Sequence, residues 1–328
     1  MLRRIFVFSS LLFVFTVASL AQDSRHFTFH YAFTVKNLAA GKKIRVWIPA
    51  AHSDAFQEVK VISAKGDLPL KKTREPKYGN EIYFAEANSP AAAELHFDIE
   101  YDVVRHERVA LGSAPHLTAA SLTKNGRLED LQPDTLVPVT GLPADLAVKV
   151  TEGKTEPLDK TRAIYDYVFT TMKYDKTGTG WGRGDVLYAC DAKKGNCTDF
   201  HSLFIAMARS QGIPARFEIG FPLPPDKHTS EIAGYHCWSD FFVDGKGWIP
   251  VDISEAWKHP EKRDYFFGSH DVNRVQFSMG RDLRLNPPQD GKPLNYFVYP
   301  YVEVDGQEYA NVALAFSFSD VEAAVAMK

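Results

Sequence analysis

Residues 195–216 of the chain read GNCTDFHSLFIAMARSQGIPAR, and this stretch decides how the second half of the protein folds. Asn196 is a favourable N-cap residue, and Asp199 follows three residues later, as in a capping box. Apolar residues recur at helical spacing from Phe200 to Met207, and a Gly-x-Pro segment then ends the run. The sequence therefore predicts a helix whose first turn contains Cys197.

A cysteine at the start of a helix has unusual chemistry. The free N–H groups and the helix dipole favour an anion there, and they lower a thiol pKa from ~8.5 to about 3.5–7.5. The backbone N–H of the same residue can also point toward a developing oxyanion. Most cysteines are small buried hydrophobes. Placement at a capped helix start instead favours Cys197 as a nucleophile.

A histidine and an aspartate follow on two predicted strands. His236 opens the strand His236–Val243, a turn falls at Asp244-Gly245, and Asp252 lies in the strand Trp248–Ile253. A hairpin through that turn brings His236 and Asp252 together in one register and separates them if the register slips by one residue. The carboxylate then fixes the imidazole tautomer while the other ring nitrogen meets the thiol.

His201 is the alternative base. It lies one helical turn after Cys197, so both side chains can share one side of the helix. No carboxylate is evident in the sequence to orient it. A solvated or structural role is therefore expected for His201, and the predicted catalytic group is Cys197, His236 and Asp252.

The rest of the second half places helices before strands. A helix is predicted around Tyr165–Met172, and Pro157 suits its first turn. Glycines at 178, 180, 182 and 184 surround Trp181 in a loop that lacks the Lys-Ser/Thr of a phosphate loop, and a mobile or tightly turning loop is expected. The predicted strands are Ala215–Gly220, His236–Val243, Trp248–Ile253, Val275–Ser278 and Tyr296–Val304. This order indicates an α+β domain with helices packed on an antiparallel sheet.

The first half is predicted to be a β-sandwich over residues 22–110. Apolar and polar residues alternate from Phe27 to Val35, from Ile44 to Ile48 and from Leu95 to Val103, which is the period of half-buried strands. Periodicity fades over the proline-containing residues 111–150, which are expected to connect the two domains. Residues 151–328 are assigned to the catalytic domain with a C-terminal β extension.

The first residues indicate export. Arg3 and Arg4 precede an apolar run that ends in a small-residue cleavage site at Ala21, so residues 1–21 are predicted to be a signal peptide. The run is too short for a typical membrane anchor. A periplasmic or secreted protein without a stable membrane anchor is therefore expected. The formal net charge of −3 and the lack of a basic run give no indication of nucleic-acid binding.

The three cysteines, Cys190, Cys197 and Cys237, are too few for a disulfide scaffold. A Cys190–Cys237 disulfide would suit an oxidising compartment, but the sequence does not establish that pairing. A metal site built from the three thiols and His236 is disfavoured, because the spacing fits no usual zinc pattern and neighbouring residues 236 and 237 point to opposite strand faces.

Three motifs together resemble the transglutaminase-like superfamily. They are residues 195–216, the segment Tyr235-His236-Cys237-Trp238, and the segment Gly247-Trp248-Ile249-Pro250-Val251-Asp252, and they occur in the family's order. The resemblance covers roughly residues 155–260. It implies a papain-like core with Cys197 as nucleophile, His236 as general base and then acid, and Asp252 as the orienting residue. The leading β domain also resembles the sandwich that precedes this domain in exported bacterial members.

The resemblance leaves the reaction open, because the family includes cross-linking, hydrolytic and deaminating enzymes. A peptide or protein substrate, an acyl-enzyme and a hydrolytic outcome are expected, since hydrolysis needs no second substrate site. The alternatives are protein cross-linking and a non-catalytic binding protein. No cofactor or metal is expected, calcium included, because no EF-hand-type loop is present. Trp181 is a candidate oxyanion donor and Trp238 a candidate cleft wall, although both residue types are commonly structural.

Overall fold

The computed structural model describes residues 23–88, 90, 92–111 and 128–321. The predicted signal peptide and part of the predicted connecting segment lie outside the described residues. The helices described in full are α1 (Leu142–Val150), α2 (Pro157–Thr171), α3 (Val186–Ala192), α4 (Cys197–Ser210) and α5 (Ile253–Lys258), with a 3-10 turn at Pro260–Lys262. In the part of the chain that is described, every helix is too short or too polar to cross a membrane.

The strands fall in two groups, one before and one after α1 in the chain. Before α1 they are β1 (Ser24–Val35), β2 (Lys43–Pro49), β3 (Gln57–Gly66), β4 (Lys71–Arg74), β5 (Glu81–Asn88), β6 (Leu95–His106) and β7 (Arg108–Val109). After α1 they are β8 (Lys173–Tyr174), β9 (Lys194–Gly195), β10 (Ala215–Pro222), β11 (Thr229–Glu231), β12 (His236–Val243), β13 (Gly247–Val251), β14 (Ser269–His270), β15 (Arg274–Met279), β16 (Tyr301–Val304), β17 (Gln307–Glu308) and β18 (Val312–Asp320).

Two five-stranded sheets form the N-terminal half. Their strand orders are β11-β18-β1-β6-β3 and β17-β16-β2-β5-β4. The alternation of apolar and polar residues in the sequence gives each strand a buried and an exposed face. In β1, the apolar residues from Phe27 to Val35 are buried and the residues between them are half-exposed. One continuous apolar core contains residues of both sheets. The predicted N-terminal β domain thus has the alternating inside and outside faces of a sandwich.

The C-terminal strands complete these N-terminal sheets. β16 pairs antiparallel with β2, and β18 pairs antiparallel with β1 along its whole length, from Val312 opposite Val35 to Asp320 opposite Phe27. The sequence prediction had attached this region to the catalytic domain as an extension. The structure instead places the helical region between the first and last strands of the same two sheets.

The helical region covers a four-stranded antiparallel sheet of order β13-β12-β10-β15. Helix α4 lies at its centre and packs on β12 and β10, and all of its residues except Ser210 are buried. Gly212, with φ of 75°, ends the helix, as the sequence predicts. Helices α1, α2 and α3 pack against α4. This arrangement confirms the predicted α+β class with helices on an antiparallel sheet.

Aromatic side chains join the two halves. Phe29 of β1 lies 5.2 Å from Phe221 of β10 and 5.5 Å from Phe277 of β15, measured between ring centroids. Tyr31 stacks on Phe277 at 5.4 Å and contacts Phe316 of β18 at 4.6 Å. Because these rings share one buried cluster, the sandwich packs against the four-stranded sheet and fixes its position. Strand β12 of that sheet carries His236, and β13 leads into Asp252.

Three local predictions differ from the structure. The predicted connection over residues 111–150 contains α1, which begins after Gly141 with Pro143 in its first turn. The strand predicted to continue to Ile253 ends at Val251, and α5 follows. The strand predicted from Tyr296 is formed only over Tyr301–Val304. In each case a short element with few residues gave too weak a periodic pattern to be recognised.

Candidate active site

Cys197 is the first residue of α4, and only 2% of its surface is exposed. The Asn196 side chain accepts the N–H of Thr198 at 2.9 Å, and the Asp199 carboxylate accepts the N–H of Asn196 at 2.9 Å. The predicted capping box is therefore present. It fixes the start of the helix and so holds the thiol at the positive end of the helix dipole.

His236 and Asp252 are in direct contact. His236 is 4% exposed and Asp252 is fully buried, and Nε2 of the imidazole lies 2.7 Å from Oδ2 of the carboxylate. The hairpin has the required register, with Ser239 opposite Val251. Asp252 lies just beyond the strand, however, where it caps α5 and accepts the N–H of Glu255 at 3.0 Å. The strand prediction for residues 252 and 253 is wrong because this cap turns the chain into a helix.

The three groups determine one another's protonation. Burial alone would raise the pKa of the Cys197 thiol, but hydrogen bonds with Cys237 and His236 and the positive charge of the His236 imidazolium hold that pKa well below its usual value. Burial opposes the charged form of His236, yet Asp252 and the thiolate raise the pKa of the imidazole to about 10. Burial likewise opposes ionisation of Asp252, and pairing with His236 and Arg274 keeps the pKa of that carboxyl well below its usual value. The site therefore favours a thiolate beside an imidazolium.

Arg274 is a site residue that the sequence did not reveal. From β15 it donates Nη1 to Oδ2 of Asp252 at 2.9 Å, the same oxygen that meets His236. Its guanidinium lies 4.9 Å from the centroid of the Trp238 ring, and only 2% of the residue is exposed. The contact is made across the sheet by residues 22 positions apart, so no local pattern marks it.

Replacing Arg274 by glutamine is expected to shift the pH profile of Cys197 alkylation to higher pH. Loss of a buried cation raises the pKa of the neighbouring thiol, imidazole and carboxyl groups together. Breaking the buried ion pair should also lower the free energy of unfolding by about 3–5 kcal/mol. Arg274→Lys keeps the charge and should keep the profile. A folded glutamine variant with an unchanged profile would contradict this role.

His201 is fully buried and is a structural residue rather than a solvated one. Its Nε2 accepts the N–H of Ile253 at 3.0 Å, so that nitrogen carries no proton. Burial lowers the pKa of His201 to about 4, even though Oδ1 of Asp252 lies 3.6 Å away. His201 thus ties α4 to the start of α5 as a neutral imidazole, and its Nε2 is already occupied.

The two tryptophans occupy positions different from those predicted. The indole N–H of Trp181 donates to the Gly178 carbonyl at 3.1 Å, within its own loop, so it is not directed at an oxyanion beside Cys197. Trp238 is fully buried, and its N–H donates to Oε2 of Glu218 at 2.7 Å. Its ring lies 5.9 Å from the His236 ring. Trp238 therefore supports the imidazole from within the core and does not form an open cleft wall.

The glycine-rich loop turns tightly and is held in place from two sides. The Asp199 carboxylate accepts the N–H groups of Gly182 at 2.7 Å and Gly184 at 3.0 Å, in addition to that of Asn196. Arg281, itself 1% exposed, donates to the carbonyl of Gly184 at 3.1 Å. Asp199 therefore joins the loop to the same helix start that carries Cys197.

Alanine at Gly184 is expected to lower the free energy of unfolding by about 3 kcal/mol or more, and alanine at Gly182 by only about 1–2 kcal/mol. Both glycines have positive φ, 61° and 83°. A Cβ at Gly184 would overlap Ser202 Oγ and Arg281 Nη1, whereas a Cβ at Gly182 approaches only Asn196, at 3.4 Å. Denaturant unfolding of the two variants measures the difference. Equal losses would show that the packing around Gly184 relaxes freely.

Tyrosines line the side of the site next to this loop. The hydroxyl of Tyr235 accepts a hydrogen bond from Asn196 Nδ2 at 3.0 Å and lies 2.9 Å from Oγ1 of Thr198. Its ring lies 5.4 Å from the ring of Tyr296 and 5.9 Å from that of Tyr299. The residue just before His236 thus contacts both neighbours of Cys197. This links His236 and Cys197 independently of their own contact.

The three cysteines are free and buried, so the disulfide considered between Cys190 and Cys237 is not formed. The thiol of Cys237 lies 3.7 Å from Thr198 Oγ1 and 3.8 Å from His201 Nδ1, on the side of β12 that faces α4. Over the described ranges, His, Cys, Asp and Glu side chains do not gather in threes as a metal ion requires. Cys237 therefore belongs to the packing around Cys197.

Comparisons with known proteins find a family match for part of the chain. The transglutaminase-like superfamily matches residues 144–253. An uncharacterized protein of Haemophilus influenzae is 28% identical in a 316-residue alignment that covers 85% of this chain and 85% of that protein. The uncharacterized YebA of Bacillus subtilis is 25% identical in a 129-residue alignment that covers 35% of this chain and 18% of that protein.

Among solved structures, a presumed cysteine protease from Cytophaga hutchinsonii has a TM-score of 0.60 at 15% identity and covers 92% of both chains. At that identity the likeness establishes a shared fold over nearly the whole chain. The family match spans the first-turn cysteine, the histidine strand and the aspartate cap, which are the three motifs read from the sequence. Residues 144–253 of the chain thus form a transglutaminase-like domain.

Proposed function

We propose that this protein is an exported cysteine enzyme that cleaves peptide or carboxamide bonds through an acyl-enzyme on Cys197. The observation that carries the proposal is the buried contact of His236 with Asp252 at 2.7 Å, beside a thiol at a capped helix start. A structural cysteine would gain nothing from a neighbouring imidazole whose pKa is raised to about 10. The thiolate and imidazolium pair is the form in which such a nucleophile reacts.

In the first half-reaction the thiolate of Cys197 attacks the carbonyl carbon of the substrate. A C–S bond forms, and the carbonyl oxygen becomes an oxyanion near the start of α4, where the Cys197 backbone N–H is available as a donor. The imidazolium of His236 then protonates the departing nitrogen, and the C–N bond breaks. The products are a free amine and a thioester on Cys197, with His236 now neutral.

The second half-reaction regenerates the thiol group. Neutral His236 takes a proton from water, the oxygen attacks the thioester carbonyl, and the C–S bond breaks to release a carboxylic acid. Asp252 keeps the imidazole in one orientation through both steps, because its Oδ2 holds Nε2 and leaves Nδ1 for the thiol side. We propose water as the acceptor because it needs no second binding site. An amine acceptor would make the same thioester a cross-linking intermediate.

The proposal can be tested without knowledge of the natural substrate, by using p-nitrophenyl acetate as an acyl donor. The mature protein should release about one equivalent of p-nitrophenol in a burst, with the acetyl group on Cys197 by mass spectrometry. Added putrescine then tests the acceptor, since acetate alone indicates hydrolysis and acetylputrescine indicates transamidation. Cys197→Ser and His236→Ala should abolish the burst.

Two results would contradict the proposal. No acetylation of Cys197 in the folded protein would favour the non-catalytic binding protein. A burst that persists in His236→Ala would show that the thiol reacts without its proposed base. Export is tested separately by the N-terminal residue of the protein recovered outside the cytoplasm. Gln22 at that terminus would support removal of residues 1–21.

A further inference from the structure

The residues in and beside β8 and β9, the strand pair that precedes Cys197, form a locally basic surface. Strands β8 and β9 pair in parallel, with Tyr174 opposite Gly195, two residues before the nucleophile. Residues 173–176 and 193–195, in and beside these strands, contain four lysines and one aspartate. The charge of this surface is therefore opposite in sign to the formal net charge of the whole chain, which is −3.

Two ammonium groups lie against the ring of Tyr174. The Nζ of Lys258, from α5, lies 4.5 Å from the ring centroid, and the Nζ of Lys176 lies 5.7 Å from it. Such contacts orient the cations without neutralising them. The side chain of Lys258 is 34% exposed, and the residue Lys176 is exposed, so both ammonium groups remain accessible to a ligand.

Lys258 is linked directly to the catalytic imidazole. Its Nζ lies 2.6 Å from Oε1 of Glu255, and the same oxygen lies 3.8 Å from Nε2 of His236. Glu255 therefore lies between the cation and the site, and its carboxylate moderates the positive charge there. Helix α5 begins directly after Asp252, so the residue that orients the base also positions this pair.

From this geometry we propose that Tyr174, Lys176 and Lys258 form a carboxylate-binding subsite next to Cys197. The acyl substrate would then carry an acidic group close to the carbonyl that the thiolate attacks. The ammonium groups supply the charge, and the ring of Tyr174 holds them in place. The subsite rests on the proposed function, because it positions a substrate for that nucleophile.

A pair of alkylating agents that differ only in charge tests the subsite. Iodoacetate carries a carboxylate beside the reacting carbon, and iodoacetamide carries a neutral amide. Both form a C–S bond to the same thiolate of Cys197 and release iodide. The ratio of their rate constants is therefore independent of the fraction of thiol that is ionised, and it reports the electrostatic preference of the site alone.

Lys258→Gln is expected to lower the iodoacetate to iodoacetamide ratio about three- to tenfold, and Glu255→Gln to raise it by a similar factor. Lys258→Arg keeps the charge and should keep the ratio. Lys60→Gln, in the exposed part of β3, removes a lysine far from the site and serves as the control. Added salt should reduce the ratio in the wild type toward that of Lys258→Gln.

The imidazolium of His236 also attracts iodoacetate, so the change between variants decides the outcome rather than the wild-type ratio. If Lys258→Gln and Glu255→Gln both leave the ratio unchanged while His236→Ala still slows both reagents, the subsite is wrong and the proposed function stands. If His236→Ala slows neither reagent, the proposed function fails and the subsite fails with it. Lys176→Gln provides the same test should Lys258→Gln not fold.

Discussion

Replacing His236 by alanine is expected to slow alkylation of Cys197 by iodoacetamide about 100-fold at pH 6. The imidazolium is the main partner that keeps the thiolate charged in a buried position, because His236 supplies both a hydrogen bond and a positive charge to the sulfur. Without it, burial raises the thiol pKa and the reactive form becomes scarce. The measurement is the rate of alkylation of Cys197, followed by mass spectrometry, across a range of pH.

The pH dependence separates protonation from unfolding. In the wild type the thiolate persists to low pH because the thiol pKa is lowered, and the imidazole keeps its proton until about pH 10. The variant should therefore approach the wild-type rate only at high pH, where Cys197 is ionised in both the variant and the wild type. His96→Ala, at an exposed histidine of β6 in the N-terminal sheets, serves as the control and should leave the profile unchanged. Equal profiles for His236→Ala and wild type would exclude the ion pair.

Replacing Asp199 by alanine is expected to lower the free energy of unfolding by about 3–5 kcal/mol. The fully buried carboxylate accepts three backbone N–H groups, from Gly182, Gly184 and Asn196. Alanine leaves all three donors without an acceptor in a place that water does not reach, and each lost charged hydrogen bond is costly. Denaturant unfolding followed by circular dichroism measures the change.

Asp175→Ala is the matched control for this change. Asp175 also accepts a backbone N–H, from Thr177 at 2.8 Å, and pairs with Lys194, but its side chain is 36% exposed. Water can replace those contacts, so a loss below about 1 kcal/mol is expected. If Asp199→Ala is no more destabilised than Asp175→Ala, the loop is not held by the carboxylate. Alkylation of Cys197 in the surviving folded fraction then reports whether the loop also shapes the site.

The arrangement of Cys197, His236 and Asp252 could be predicted from the sequence because each contact depends on a local pattern. A capping box fixes where Cys197 lies on α4, and a hairpin of defined register brings His236 to Asp252. Each step depends on a pattern of a few residues. The cap at Asp252 was missed, since a strand followed by a short helix has nearly the same apolar pattern as a longer strand.

The remaining site residues depend on packing between distant segments. Arg274 reaches Asp252 across the sheet, and Trp238 turns its N–H to Glu218 in the core rather than toward a cleft. Trp181 had the right residue type for an oxyanion donor, but the turn of its own loop supplies a nearer acceptor in Gly178. Such outcomes follow from competition among hydrogen-bond partners, which sequence spacing does not encode.

The closing strand β18 has a consequence for the order in which the protein becomes complete during synthesis. β18 lies between β1 and β11, and Ile232, directly after β11, donates its N–H to the carbonyl of Phe316. The chain then runs from β11 into Tyr235 and His236. A nascent chain that has not yet reached residue 312 therefore lacks the neighbour that anchors the segment carrying its base. The helix with the thiol can form early, but the segment that leads into His236 gains its pairing partner only when the last strand is added.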